Sequence, residues 1–417
     1  MTRTQTAATA ATASTGDLFS GVRERTEALA APLSPEDMML QSMEDASPAK
    51  WHLAHTSWFF EEFILKTRLP DYSSPDDRFA FLFNSYYVQA GPRHARDKRG
   101  LISRPGVQAV LDYRAHVTEA MQRLLGSGRD DQDEVEALTV LGCHHEMQHQ
   151  ELLVTDLLHG LSYNPLLPTY RDPQPMPVTQ EVPLTFTRHD GGLVDIGHEG
   201  DGFAYDCEGP RHRRWLNAYE MADRPVTNRD WIAFMEDGGY RTAPLWLMDG
   251  WAACQRNGWD APLYWWRQDD AWWTFTLRGA QPVNLDAPVV HVSYYEADAF
   301  ARWAGARLPD EAEWEVAFRD RPLDGNFLES GQLRPLPGGN PWGDVWEWTQ
   351  SPFTPYPGFR PPEGAIGEYN GKFMVNQFVL RGGSCATPAA QMRPSYRTFF
   401  YPHQRWQMLG LRLARDV

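Results

Sequence analysis

Cysteine is scarce in this 417-residue chain: four residues (Cys143, Cys207, Cys254 and Cys385) lie far apart, and no C-x-x-C pair occurs. That argues against a disulfide scaffold and against thiol-based zinc or redox motifs, so the simplest reading is a disulfide-free cytoplasmic protein. Basic charge is also in short supply. Lysine and arginine number 39 against 55 acidic residues, a net charge of −16. Surfaces for nucleic acid or anionic membranes need basic patches, so neither partner is expected. No apolar run approaches the roughly eighteen residues that a spanning helix requires, so no membrane segment is expected. The opening "MTRTQTAATAATAST" carries one arginine and no apolar stretch of the kind found in signal peptides. A disordered tail is expected over residues 1–16. No fixed-period repeat is present.

What the chain does contain divides into two halves. From 17 to 170 the pattern is helical. "DLFSGVRERTEALAAPL" brings Leu18, Val22, Thr26 and Leu29 near one face, and a second helix is expected to open behind Ser47-Pro48, with the serine as cap. "GVQAVLDYRAHVTEAMQRLLG" and "DEVEALTVLGCHHEMQHQELLVTDLLHGL" complete four helices with apolar stripes of period near 3.6. Four such helices predict a bundle, an architecture that builds metal sites from side chains facing inward. A proline-rich linker is expected over 171–182. From 183 to 417 glycine and proline are frequent, and 15 of the 17 tryptophans fall after residue 200. That composition predicts an irregular α+β domain with short strands and long, tryptophan-packed loops.

The segment "HHEMQHQE" (144–151) holds three histidines and two glutamates in eight positions. Residues four apart on a helix share a face, so His145 and His149 can chelate one ion. A third ligand must come from elsewhere, and "WHLAHTSWFFEE" offers His52 and His55, one turn apart. The aromatic residues Trp58, Phe59 and Phe60 that follow would keep such a site dry. Three histidines with open positions suit iron(II) or zinc. A lone helical histidine is ordinarily solvated or hydrogen-bonded, and that remains the bland reading of His52. H-E-x-x-H is also the zinc-protease signature, but "HQELLVTDLLHGLSYN" supplies no third ligand of that family, since Glu151 lies about 200° around the helix from His149. Glu146 is left as a group behind the ligands.

"WHLAHTSWFFEEFIL", "FLFNSYYVQAGPRH" and "HHEMQHQELLVTDLLH" together resemble the DinB-like domain of the ergothioneine-synthase (EgtB-type) family, the hercynine oxygenases. "RPVTNRDWIAFM", "RLPDEAEWE", "GDVWEWT", "EYNGKFMVNQFVLRGGSCATP" and "GLRLARD" resemble the formylglycine-generating-enzyme-like (C-type-lectin-like) domain of the same enzymes. The resemblance runs from about residue 17 to 417. It implies an N-terminal four-helix DinB-like bundle followed by a sulfatase-modifying-factor domain, with Fe(II) on His55, His145 and His149. It further implies an oxidoreductase that uses O2 to join a sulfur substrate to carbon 2 of the hercynine imidazole. Gln148 matches a residue that hydrogen-bonds this imidazole. The "NSYY" stretch is placed beside the iron, which makes Tyr86 or Tyr87 the expected proton donor, and Arg93 is counted among the substrate-binding residues. Aromatic faces are needed for a quaternary ammonium, and "SYRTFFYPHQRWQ" supplies Phe399, Phe400, Tyr401 and Trp406.

Three departures from the family stand out. Thr398 stands where asparagine is common, and Met147 replaces a glutamine. Phe400 and Gln404 occupy the places of an acidic residue and an arginine in branches that accept γ-glutamylcysteine. The resemblance extends to a sister branch, the selenoneine synthases (SenA-type), which join a selenosugar to hercynine. Thr398 and Gln404 are compatible with a cysteine-type thiol or with a sugar. Other classes considered are a DinB-like metal-dependent thiol S-transferase and a metal-free binding module. Formylglycine generation is disfavoured, because it requires a close cysteine pair where Cys385 stands alone.

Overall fold

The computed structural model describes residues 14–177 and 181–417. Most of the expected tail thus lies outside the described residues. Helix α1 (Thr15–Ala30) already begins at Thr15, where Ser14 accepts the Asp17 amide and Asp17 accepts the Ser14 amide. This reciprocal capping satisfies two otherwise orphaned N–H groups. Phe19, Val22, Arg23, Thr26 and Leu29 of α1 are buried, so Phe19 rather than Leu18 leads the inward stripe.

Helix α2 (Ala49–Phe60) is buried along its whole length and continues through a π turn (Glu61–Leu65) to Arg68. Its start departs from the expected serine cap. Pro48 itself is the N-cap, while the Ser47 amide donates to Asp156 and its hydroxyl accepts from Arg99. Tertiary partners have claimed the serine. Helices α3 (Val107–Leu125) and α4 (Gln132–Ser162) complete the bundle. No helix among the described residues is long and apolar enough to cross a membrane.

Beyond the bundle, residues 170–175 lie against the second domain. The Tyr170 and Arg171 amides donate to the Leu277 carbonyl, and Arg334 donates to the carbonyls of Gln174 and Pro175. The second domain is built on a four-stranded sheet whose spatial order is Thr398–Phe400, Phe378–Arg381, Trp346–Pro352, Leu409–Leu411. The first three pair antiparallel, and the last pairs parallel to Trp346–Pro352, with Leu409 opposite Trp346. A three-stranded antiparallel sheet sets Tyr219–Ala222 between Phe186–His189 and Ala414–Asp416. Short strands cannot bury a domain alone. Trp231, Trp314, Trp342, Trp346 and Trp348 fill the space between loops. Buried ion pairs tie the helix Glu311–Phe318 and the sheet strands to their neighbours: Arg381 with Glu311 and Glu315, Arg397 with Glu311, and Arg412 with Glu347. All four cysteines are buried and unpaired.

Candidate metal centre between the two domains

Helix α4 turns about 100° per residue, and its central segment uses successive faces for different tasks. His144, Gln148 and Glu151 meet the second domain. The His144 ring stacks on Phe203 at 3.8 Å and shares a 3.1 Å hydrogen bond with Gln391. Gln148 accepts from the Tyr369 hydroxyl at 2.5 Å and donates to the Tyr396 hydroxyl at 3.0 Å. Glu151 accepts from the Trp346 indole, the Ser384 hydroxyl and the Thr387 hydroxyl. It is therefore an interdomain anchor and not a ligand.

Glu146 and Gln150 lie on the opposite side, inside the bundle. Glu146 is fully buried and accepts from Arg23 at 3.0 Å, from Thr26 at 2.7 Å and from Arg114. Burial alone would raise its pKa, but Arg114 and Arg23 outweigh that and hold it at about 2. This glutamate is occupied as a counter-ion, which removes the protease reading of H-E-x-x-H on physical grounds: no general base faces the histidines from that position.

Between these faces, His145 and His149 look towards α2 and meet His55. One ligand atom from each of the three lies within 4.8 Å of the others. His55 is oriented by a 2.6 Å bond between its Nδ1 and the Phe83 carbonyl, which leaves Nε2 facing inward. That Nε2 and both ring nitrogens of His145 are buried with no hydrogen-bond partner. An unmet buried polar group costs about 1–3 kcal/mol, so a cluster of them is an uncompensated expense unless something binds there. Burial lowers the pKa of His55 and His149 well below the ordinary value, and that of His145 to about 3. All three rings are neutral at pH 7 and present lone pairs, as a metal ion requires. The donor set and the unpartnered nitrogens thus fit a divalent metal. Trp51 stacks on His55 at 4.5 Å, Trp58 packs on its ring at 5.4 Å, and Phe59 stacks on His145 at 4.5 Å. These rings lock the imidazoles and exclude water.

His52 does not join the trio. Its Nδ1 lies 2.8 Å from His149 Nδ1, and its Nε2 lies 3.2 Å from Asp156. The two tyrosines of "NSYY" sit behind the aromatic wall. Tyr87 packs on Trp58, Phe59 and Phe63, and Tyr86 stacks on Tyr87. The Tyr86 hydroxyl reaches Tyr87 at 3.4 Å and the Tyr369 carbonyl at 3.5 Å. Tyr369 comes nearer to the histidines, with its ring 5.7 Å from His145. Sequence reasoning missed Tyr369 and Tyr396. Both fall in quoted motifs, but no spacing rule ties them to Gln148, more than 220 residues away.

The remaining candidates are spread around this centre. Arg93 is exposed and donates to the Ser85 carbonyl. Thr398 is half-buried at the sheet edge, and Phe399 stacks on Phe353 at 3.9 Å within the second domain. Phe400 meets Trp406 edge-on at 6.0 Å. The Gln404 amide accepts from the Tyr401 N–H and donates to Asp45 of the bundle, both at 3.0 Å.

Comparison with known proteins agrees with this two-part architecture. Residues 18–153 match the DinB superfamily, and residues 172–335 and 340–417 match the sulfatase-modifying factor enzyme 1-like domain. A hercynine oxygenase of Mycobacterium tuberculosis is 33% identical over 402 residues, covering 89% of this chain and 91% of that protein. A hercynine oxygenase of Mycolicibacterium thermoresistibile is 34% identical over 415 residues, covering 89% and 88%. A formylglycine-generating enzyme of Streptomyces coelicolor is 30% identical over 287 residues, but covers only 54% of this chain. That share is about the size of the second domain, whereas a share of 89% carries the hercynine oxygenases through the histidine-bearing bundle as well. With both domains matched in one order and over nearly their full length, the chain belongs to the hercynine oxygenase family and is an oxidoreductase.

Proposed function

We propose that this enzyme uses O2 to join a sulfur or selenium co-substrate to carbon 2 of the hercynine imidazole, in ergothioneine or selenoneine biosynthesis, with Fe(II) held by His55, His145 and His149. The observation that carries this reading is the meeting of three neutral histidines, two of them buried with unpartnered nitrogens and the third half-buried, in a chain alignable with hercynine oxygenases over nine-tenths of its length. Three imidazole ligands leave positions open for small molecules, which suits iron(II) better than a closed structural site. Bound there, the iron would supply O2 activation beside the sulfur or selenium co-substrate.

The chain's own residues do the rest. Gln148, one residue from His149, offers a donor and an acceptor to an uncharged imidazole without deprotonating it. Tyr369 holds its hydroxyl proton against Gln148, and burial raises its pKa well above the ordinary tyrosine value, so it reaches the reaction protonated. Tyr369, Tyr86 and Tyr87 form the proposed proton-donating group, with Tyr369 foremost. Aromatic faces around Phe399, Phe400 and Trp406 receive the trimethylammonium, each worth about 0.5–2 kcal/mol. Arg93, Thr398 and Gln404 border the co-substrate. Phe400 and the engaged Gln404 offer no charge pair to a γ-glutamyl dipeptide, and a carboxylate buried without a partner is costly.

The test is a competition. Enzyme, iron(II), O2 and hercynine are incubated with cysteine, γ-glutamylcysteine and a selenosugar together, and products are read by mass spectrometry. A C–Se or a cysteine C–S product supports the reading and names the branch. A preference for γ-glutamylcysteine overturns the view of Phe400 and Gln404. Thiol transfer with no hercynine product replaces the proposal with the DinB-like S-transferase alternative.

A further inference from the structure

His52, Asp156 and Trp406 form a line of hydrogen bonds that ends on His149. The Trp406 indole N–H donates to Asp156 Oδ1 at 3.0 Å, and the Ser47 amide donates to Asp156 Oδ2 at 2.8 Å. His52 Nε2 lies 3.2 Å from the same Oδ2, and His52 Nδ1 lies 2.8 Å from His149 Nδ1. His52, Asp156 and Trp406 are each at most 5% exposed, so water is largely kept from the bonds among them, while His149 at the end of the line is half-buried. With both imidazoles neutral, the direction of every bond follows from the carboxylate. A carboxylate only accepts, so His52 carries its proton on Nε2 and turns the lone pair of Nδ1 outward. His149 must therefore carry its own proton on Nδ1, and the lone pair of its Nε2 is left for the trio.

We infer that His52 and Asp156 are positioning residues that set the tautomer and ring orientation of His149, and that Trp406 makes this setting depend on the second domain. The inference rests on the reading that His55, His145 and His149 hold a metal ion. Trp406 is one of the aromatic residues proposed to face the trimethylammonium, and Phe400 packs against its ring. The second domain thus reaches the metal ligand through an indole and a carboxylate, with no residue of its own among the three histidines. The other ligands take their main supports from the bundle, His55 from the Phe83 carbonyl and His145 from the Phe59 ring, with the second domain's Tyr369 edge-on to His145.

Anaerobic titration of the full-length protein with cobalt(II), against a competing chelator, tests this without reference to turnover. His52→Phe keeps an aromatic ring and removes both nitrogens; His52→Gln keeps an acceptor towards His149 and a donor towards Asp156. Cobalt(II) affinity is expected to fall by about 10–100-fold in His52→Phe and Asp156→Asn, and to recover substantially in His52→Gln. The visible ligand-field bands of bound cobalt should shift in Trp406→Phe, which loses one N–H and keeps the aromatic packing. Equal affinities in His52→Phe and His52→Gln overturn the inference, because a purely structural role favours the apolar ring. Unchanged bands in Trp406→Phe overturn the role of the second domain. His145→Ala separates the two levels of argument. If it binds cobalt like the parent, the metal reading itself fails; if it loses cobalt while the His52, Asp156 and Trp406 variants all keep it unchanged, only the positioning role fails.

Discussion

Glu146 is the most informative residue to perturb, because its place in H-E-x-x-H and its place in the fold predict opposite outcomes. Glu146→Gln keeps size and shape and deletes one buried negative charge. Arg23 and Arg114, both at most 1% exposed, are then left beside each other, with only the half-exposed Glu27 near Arg114. A carboxyl held at about 2 against an ordinary value of 4.5 stabilises the fold by about 3 kcal/mol at neutral pH. Removing one partner of a buried ionic cluster typically costs about 3–5 kcal/mol, which agrees. The assay is urea unfolding of the helical bundle by far-ultraviolet circular dichroism, parent against variant, across acid pH. Because the folded-state pKa is depressed, the contribution is fully present above pH 4.5 and disappears as pH falls through about 2. The gap between parent and variant should close over that range. A variant within about 0.5 kcal/mol of the parent at neutral pH refutes the counter-ion reading, since that is the spread of an inconsequential substitution. Loss of activity with unchanged stability would return Glu146 to the role of a base.

Gly142→Ala should destabilise the bundle by about 1–3 kcal/mol despite alanine's better helix propensity, because the new Cβ would come within 2.9 Å of Phe60 Cζ in a fully buried contact. A lowered thermal midpoint checks it. Tyr369→Phe should preserve hercynine binding and divert turnover towards uncoupled oxidation of the sulfur or selenium substrate. Tyr86→Phe and Tyr87→Phe should have smaller effects on the product ratio, and the reverse order by mass spectrometry would move the donor back to "NSYY". Hercynine should bind more tightly than histidine by calorimetry, since aromatic faces reward a trimethylammonium and offer a primary ammonium no hydrogen bonds in exchange for its hydration.

The four helices could be read from the chain because their signals are local: apolar period, glycine and proline punctuation, and the i,i+4 spacing of His145 and His149. The choice between His52 and His55 could not be made from spacing alone. Both lie on α2 one turn apart, and what separates them is the Phe83 carbonyl behind one ring and Asp156 behind the other. The same holds for Glu146, whose partners Arg23 and Arg114 stand 123 and 32 residues away. Ser47 looked like a cap because cap chemistry is local, yet Asp156 and Arg99 claimed it from the far side of the bundle. Tyr369 and Tyr396 reach the centre only because an irregular domain folds its loops onto α4, and no periodicity describes a loop.

The sharing of α4 between neighbouring tasks bears on how such an enzyme can change over generations. A break in the gene at the proline-rich connection would send the histidines into one product and Tyr369 and Tyr396 into the other, so the two domains cannot be traded as independent cassettes. A single inserted or deleted residue between His144 and Glu151 would turn the helix by about 100°, exchanging the bundle-facing, ligand-facing and domain-facing positions all at once. Variation in that octet is therefore confined to substitution at constant length. The exposed loop at 357–364, which precedes Tyr369, carries no such phase constraint, and length is free to vary there.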